Sequence, residues 1–386
     1  MSISNEGLQF PIDPISQKSS SSNVGKEIIA EALSLVDNRT SQHALDEKNW
    51  RQNYPTYFKA LVENGIKSVN NPITIAKQGL HKAQHSFDFF RDNQRYSLKD
   101  VMSVPLTEKI KTYIFKGQSD TAPEWFVPYR GQNLKGQSLL NQIQLWENTG
   151  IIEASHAKAL REVNAHPEWF DLSDRTMVLF GAASEAGPLT WLSRWKANII
   201  AIDLPNESVW EKILKTIQNG NATLYAPHFE HIIDADKIDE LKAKLGTNLL
   251  TQIPEITQWL CDNPHKLDLA SIAYLDGEKH VRVSMAMDSI MSHVSEQKPD
   301  SSLMYMCTPT DVYAVPKEVI EGATDKNLQR SKLEIILSKS IATLSMKQFF
   351  KDNNQKLILS DNGKSYGIAD CLVVEQGPNY ALAKRI

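Results

Sequence analysis

The chain has 386 residues, 41% of them apolar and 23% charged, with a formal net charge of −4. That balance excludes a disordered chain and a basic nucleic-acid footprint, and the length points to two domains rather than one core. Cys261, Cys307 and Cys371 are too scattered for a disulfide framework or a Cys-x-x-Cys metal pair, and no apolar run nears the roughly 20 residues that span a bilayer.

The opening lacks a basic start followed by an apolar stretch, so a cytoplasmic protein is expected. Residues 1–24, with Pro11, Pro14 and the run Ser19–Ser22, read as a mobile arm. From about Lys26 to Lys116 the apolar spacing is helical. Ile28, Ile29, Ala32, Leu33 and Val36 form one stripe, and Tyr57, Phe58, Leu61, Val62 and Ile66 form another. Phe87, Phe89 and Phe90 are expected in the core. His81 and His85 share a helical face, but the further ligands that a metal needs are missing, so no metal is expected.

Residues 117–137 are rich in Gly and Pro. There Trp125-Phe-Val-Pro-Tyr-Arg-Gly131 reads as a hydrophobic latch between domains, or as a lid in which Arg130 holds an acidic group. Two more helices, Leu139–Trp146 and Ile151–Val163, complete an all-α N-terminal domain over residues 25–172.

Beyond it the pattern changes. Thr176–Phe180 is a short apolar run suited to a buried parallel strand, and a small-residue turn from Gly181 to Gly187 follows. Leu189, Leu192 and Trp195 lie at helical spacing, and Ala197–Asp203 is a second apolar run closed by an acid. Strand, glycine-bounded turn, helix, strand and acid is the order of a dinucleotide-binding unit: a glycine admits a diphosphate close to the backbone, and a terminal acid accepts from ribose hydroxyls.

A helix around Val209–Ile217, an accessory strand at Ala222–Ala226, a helix through Ile238, Leu241 and Leu245, and another over Pro254–Leu260 come next. Then follow a strand, Leu269–Leu275, closed by Asp276-Gly277, a Met-rich helix, Val281–Val294, and a strand, Ser302–Cys307, that runs into Thr308-Pro-Thr310. This alternation predicts an α/β fold over residues 173–386, a doubly wound parallel Rossmann-like sheet. Gly181, Asp203, Asp276 and Thr308 all fall at carboxyl ends of its strands, where such sheets bind ligands. Tyr-x-x-x-Lys occurs twice, as Tyr313–Lys317 and Tyr380–Lys384. Pro316 interrupts the first, so it is read as structural; four helical residues bring the partners of the second onto one face.

Gly181-Ala-Ala-Ser-Glu-Ala-Gly187 and Tyr380-Ala-Leu-Ala-Lys384 resemble the glycine turn and the active-site helix of the short-chain dehydrogenase/reductases. Glu185 stands in place of the middle glycine. The resemblance implies an NAD(P)-dependent oxidoreductase acting on a carbonyl or alcohol. Gly181, Ala183, Ser184 and Gly187 would hold the diphosphate. Asp203 would hold the adenosine ribose and favour NAD(H) over NADP(H), with Asp276 and Gly277 beside the nicotinamide ribose. Tyr380 would be the acid/base, Lys384 its pKa-lowering partner and Thr308 the substrate-holding hydroxyl. Residues 318–367, with a helix over Leu333–Phe350, would be an insertion. The family's helix runs on past the point where this chain stops at Ile386, so a longer parent protein is expected. The expected partner is a small-molecule substrate, with no nucleic acid and no membrane; a homo-oligomer is admitted. Two competing readings stay open: a non-catalytic Rossmann-like module with Glu185 blocking the phosphate site, and a methyltransferase in which Asp203 holds the ribose of S-adenosylmethionine.

Overall fold

The computed structural model describes residues 6–12, 17–229, 238–345 and 353–386. Along the chain the elements are β1 (Gly7–Gln9), α1 (Ser21–Leu33), α2 (Asn38–Asp46), α3 (Trp50–Lys67), α4 (Asn71–Gln84), β2 (Asp88–Arg91) and β3 (Gln94–Ser97). Next come β4 (Lys111–Lys116), β5 (Val127–Tyr129), β6 (Gln132–Leu134), α5 (Gly136–Asn148) and α6 (Ala154–Ala165). They continue as β7 (Thr176–Phe180), α7 (Leu189–Leu192), β8 (Asn198–Ile202), α8 (Glu207–Gln218), β9 (Thr223–His228), α9 (Ile238–Leu241), α10 (Ile253–Cys261), β10 (Asp268–Ser271) and α11 (Glu278–Gln297). The last are β11 (Ser302–Tyr305), β12 (Val312–Pro316), α12 (Lys317–Leu328), α13 (Lys332–Leu344), β13 (Asn354–Leu359), β14 (Ser365–Asp370) and α14 (Pro378–Ala383). Two compact units emerge. A sheet unit comprises Met102–Tyr274 and Ala286–Met306; a helix–hairpin unit comprises the residues up to Val101, Leu275–Met285 and Cys307–Ile386.

The sheet unit is α/β, built on six strands in the order β11-β10-β7-β8-β9-β4. The pairings are parallel from β11 to β9, and β4 closes the edge antiparallel to β9. All five residues of β7 are buried. A strand covered on both faces must read as a continuous apolar run rather than an alternating one, as Thr176–Phe180 does. Helix α8 starts on Asn206, whose side chain accepts from the Ser208 and Val209 amides, and it buries Trp210, Ile213, Leu214 and Ile217 on one stripe. At the other end of the strands, Arg175 donates to both carboxylate oxygens of Asp268 at 2.8 and 2.7 Å, and Ser302 donates to the same carboxylate at 2.5 Å. That carboxylate thereby ties the starts of β7, β10 and β11. Burial pushes its pKa up, but the guanidinium and the hydroxyl hold it below the ordinary value.

The helix–hairpin unit packs α1 against α4, α2 and α3. It carries two small antiparallel sheets, β1-β2-β3 and β12-β14-β13. Tyr54 of α3 is fully buried and donates to the carbonyls of Val373 and Val374 at 3.1 and 3.2 Å.

Residues 25–172 are therefore not all helical. β2 and β3 form a hairpin through Asp92 and Asn93, both in the left-handed region at φ 51° and 60°, as a two-residue hairpin turn demands. β4 alternates Tyr113, Ile114 and Phe115 against β9, and β5 and β6 pair across Arg130 and Gly131. Phe87 and Phe89 are buried and Phe90 partly so. Trp125 stacks on Phe170 at 5.7 Å, and Phe126 meets Trp191 edge-on at 4.9 Å, all within the sheet unit. Arg130 lies over the ring of its neighbour Tyr129 at 5.2 Å. In the predicted arm, residues 7–9 are a strand and α1 starts at Ser21 on the Ser20 cap; residues 1–5 and 13–16 lie outside the described residues, as does the predicted Leu333–Phe350 helix from residue 346 on.

Candidate functional site

The sequence-predicted site residues fall into two groups, one in each unit. In the sheet unit, β7 ends at Phe180 and the chain turns at Gly181, at φ 85°. A Cβ there would lie 2.6 Å from the Ala273 Cα, so only glycine fits this bend. The Gly181 amide donates to Ile202 at 2.8 Å, Ser184 donates back to the Gly181 carbonyl at 3.0 Å, and Gly187 donates to Ser184 at 3.0 Å. Gly187 packs close: its Cβ would come 3.1 Å from the Ile272 Cδ1. Glu185 is exposed.

Asp203 follows β8 and turns onto the same loop. One carboxylate oxygen accepts from the Ala183 amide at 2.9 Å and the other from the Leu204 amide at 2.9 Å. Burial raises its pKa, and the two amides and Lys212 oppose that rise. Lys212 in turn donates to the Ala183 carbonyl at 3.0 Å. The helix predicted through Trp195 is short. α7 ends at Leu192, and Lys196 adopts a left-handed φ of 55° while its amide donates to the Asn221 side chain at 2.7 Å. Gly181, Ala183, Ser184, Gly187 and Asp203 thus form one loop cluster.

In the helix–hairpin unit, Thr308, Tyr380 and Lys384 come together. The Tyr380 hydroxyl donates to the Thr308 Oγ1 at 3.1 Å. Thr308 is buried, and its hydroxyl shares a hydrogen bond with Thr310 at 2.9 Å. Thr310 donates to the Gln376 Oε1 at 2.6 Å and the Gln376 amide returns a bond to the Thr310 carbonyl at 2.8 Å, which fixes both segments. Tyr313 donates to the Thr308 carbonyl. It lies on β12 with Lys317 at the start of α12, so the first Tyr-x-x-x-Lys copy straddles a strand end and a helix start.

Helix α14 opens at Gly377, at φ 87°, with Pro378 in its first turn. One turn on, the Lys384 Nζ lies 5.9 Å from the Tyr380 ring centroid. Burial lowers the pKa of Lys384, opposed by the nearby Cys307. His280, which no sequence pattern singles out, brings its ring within 5.5 Å of the Tyr380 ring. It is 2% exposed, and burial, aided by the Lys384 charge and opposed by Asp276, pushes its pKa down to about 4. A neutral imidazole therefore stands beside the phenol at neutral pH. Asp276 sits in this unit as a charge near His280, and Gly277 turns at φ 61° with open space about it.

His81 and His85 lie 4.2 Å apart ring to ring, and among the described residues no group of three or more His, Cys, Asp or Glu is placed to hold a metal. Among the same residues, no helix is long and apolar enough to cross a membrane. No protein family, curated protein or solved structure matches the chain.

Proposed function

We propose that the chain is an NAD(P)-dependent oxidoreductase acting on a carbonyl or alcohol, with NAD(H) preferred. Nucleotide recognition is assigned to the sheet unit and proton transfer to the helix–hairpin unit, so each is tested alone. The observation that carries the reading is the Tyr380–Thr308 hydroxyl contact at 3.1 Å with the Lys384 ammonium 5.9 Å from the phenol ring.

Lys384 places an ammonium 5.9 Å from the centre of the Tyr380 ring. Thr308 holds the phenol hydroxyl and can share a substrate oxygen with it. Tyr380 then takes the proton of an alcohol, or gives one to a carbonyl oxygen. His280, neutral, adds no competing charge.

In the sheet unit, the order β11-β10-β7-β8-β9 runs outward from β7 in both directions, as expected of a doubly wound sheet that takes a nucleotide at the reversal of strand order. Gly181 meets the tight-turn role and Gly187 the close-packing role of a dinucleotide loop. Asp203 offers the carboxylate for a ribose once it exchanges the Ala183 amide for a hydroxyl. The residues fit the adenosine half of the cofactor on those three counts. A bound nicotinamide would supply the hydride donor or acceptor.

One observation favours a second reading, a non-catalytic α/β module: the Asp203–Ala183 contact at 2.9 Å closes the loop on itself. Thermal denaturation with NADH, NADPH and S-adenosylmethionine separates the readings. A ligand at 100 times its dissociation constant stabilises by about 2.7 kcal/mol. The oxidoreductase reading expects NADH to raise the melting temperature most. A shift with S-adenosylmethionine alone makes the protein a methyltransferase, and no shift with any of the three leaves the scaffold module.

A further inference from the structure

Within the helix–hairpin unit, α1, α3, α4 and β12 line a half-open cavity of about 590 Å³. Ile28 and Ile29 of α1, Leu61 and Val62 of α3, and Ile75 and Leu80 of α4 form its apolar walls. Small residues keep it open. The Cβ that Gly65 lacks would find its nearest neighbours 3.9 Å away at Pro72 and 4.0 Å away at Ile75. At Gly79 a Cβ would come within 3.2 Å of the Ala32 Cβ, so α1 and α4 close on each other there.

Three of the polar lining residues lie together. The Asp361 amide donates to the Lys67 carbonyl at 3.0 Å and the Val69 amide to the Asp361 carboxylate at 3.1 Å, which brings Ser68, Ser360 and Asn362 together. Arg385, the one charged side chain lining it among the described residues, is paired with Asp311 at 2.8 Å.

We propose that this cavity binds the aliphatic chain of a single-tailed amphiphile, with the chain along the α1, α3 and α4 walls and the polar end at Ser68, Ser360 and Asn362. The volume lies inside the roughly 300–1,000 Å³ of small-molecule sites, which are likewise mostly apolar with a few converging polar groups. Apolar wall facing water is unfavourable in proportion to its area, so an apolar occupant is favoured. A protein helix does not suit the space: one turn, about 10 Å across and 5.4 Å long, would by itself take most of the volume. A thin, flexible chain does. Among the described residues, no lining residue belongs to the glycine loop or is Thr308, Tyr380 or Lys384, although Tyr313, which donates to Thr308, lines the cavity.

The test is titration of the intact protein with cis-parinaric acid, followed by displacement with octanoate, dodecanoate and hexadecanoate and with their methyl esters. Saturable binding is expected, with affinity rising about fourfold per added methylene until the cavity is filled. Esters that bind as well as acids support a neutral polar end at Ser68, Ser360 and Asn362; acids that bind better, with the advantage lost in Arg385→Gln, put the head at Arg385 and overturn that placement. Gly65→Leu and Ala76→Phe fill the space from α3 and α4, and each is expected to weaken binding at least tenfold with unchanged circular dichroism. A diazirine-bearing acyl probe gives a check that needs no variant: labelling is expected on peptides covering residues 61–83. Absence of saturable binding, wild-type affinity in a folded filling variant, or labelling confined to other peptides overturns the proposal.

Discussion

The two units differ in where they leave apolar surface uncovered. In the sheet unit, β7 is buried at all five positions and β8 at four of its five, with α8 laid over them. In the helix–hairpin unit, α12 and α13 bury no residue, Leu333 and Leu344 are 72% and 84% exposed, and a cavity opens among α1, α3 and α4. Close packing makes a rigid frame on which a loop such as 181–187 keeps its shape, while a cavity leaves room for a ligand. The glycine loop thus sits on a filled frame, while the cavity lies among helices of the other unit.

Substitution should expose that division. Phe180→Ala, at a fully buried strand position, is expected to cost about 3–5 kcal/mol in denaturant unfolding, whereas Leu337→Ala on α13 should stay within about 0.5 kcal/mol. Equal costs would erase the contrast. Gly181→Ala comes next, at about 2–4 kcal/mol, from the left-handed backbone together with the contact on Ala273. A smaller loss would show that the loop can move away from β10. Asp268→Asn should cost about 1.5–3 kcal/mol, because it removes the charge to which Arg175 and Ser302 both donate.

The smallest expected effect lies in the other unit and depends on pH. The folded pKa of His280 is held at about 4, below its ordinary 6.5, by burial. Its contribution to stability is therefore full above about pH 6.5 and is lost as the pH falls toward 4, because the unfolded state binds the proton first. About 2 kcal/mol should be lost by pH 5. His280→Leu should remove that slope between pH 6.5 and 4, and leave untouched the losses at lower pH that belong to carboxylates such as Asp171, held at about 2 by Lys196.

How much of this was readable in the residues follows the same division. β7, β8 and β10 announce themselves as apolar runs because they are covered on both faces, β11 reads as one although Leu303, Met304 and Tyr305 are exposed, and α8 and α11 carry stripes long enough to count. β4 hid inside a helical reading. Its Tyr113, Ile114 and Phe115 alternate with period two, and the strand that they pair with lies more than a hundred residues downstream. The β2–β3 hairpin turned on Asp92-Asn93, a signal that was present and outweighed by the stripes before it. α7 stopped short of Trp195 because that indole joins an aromatic cluster with Phe170 and Trp191 instead of continuing the helix. Thr308, Tyr380 and Lys384 were singled out by spacing and resemblance, and the folded chain brings them together. His280 was not, because only the folded chain brings it beside the phenol.

The nucleotide assignment meets its most direct test in an NADH fluorescence titration of the intact protein beside Gly187→Asp, with circular dichroism to confirm that both are folded. The account predicts saturable binding to the wild type and its loss in the variant, since a carboxylate at residue 187 would stand in the loop assigned to the diphosphate. A folded wild type that binds no NADH up to millimolar concentration, or a variant that binds it as well as the wild type does, would contradict the assignment.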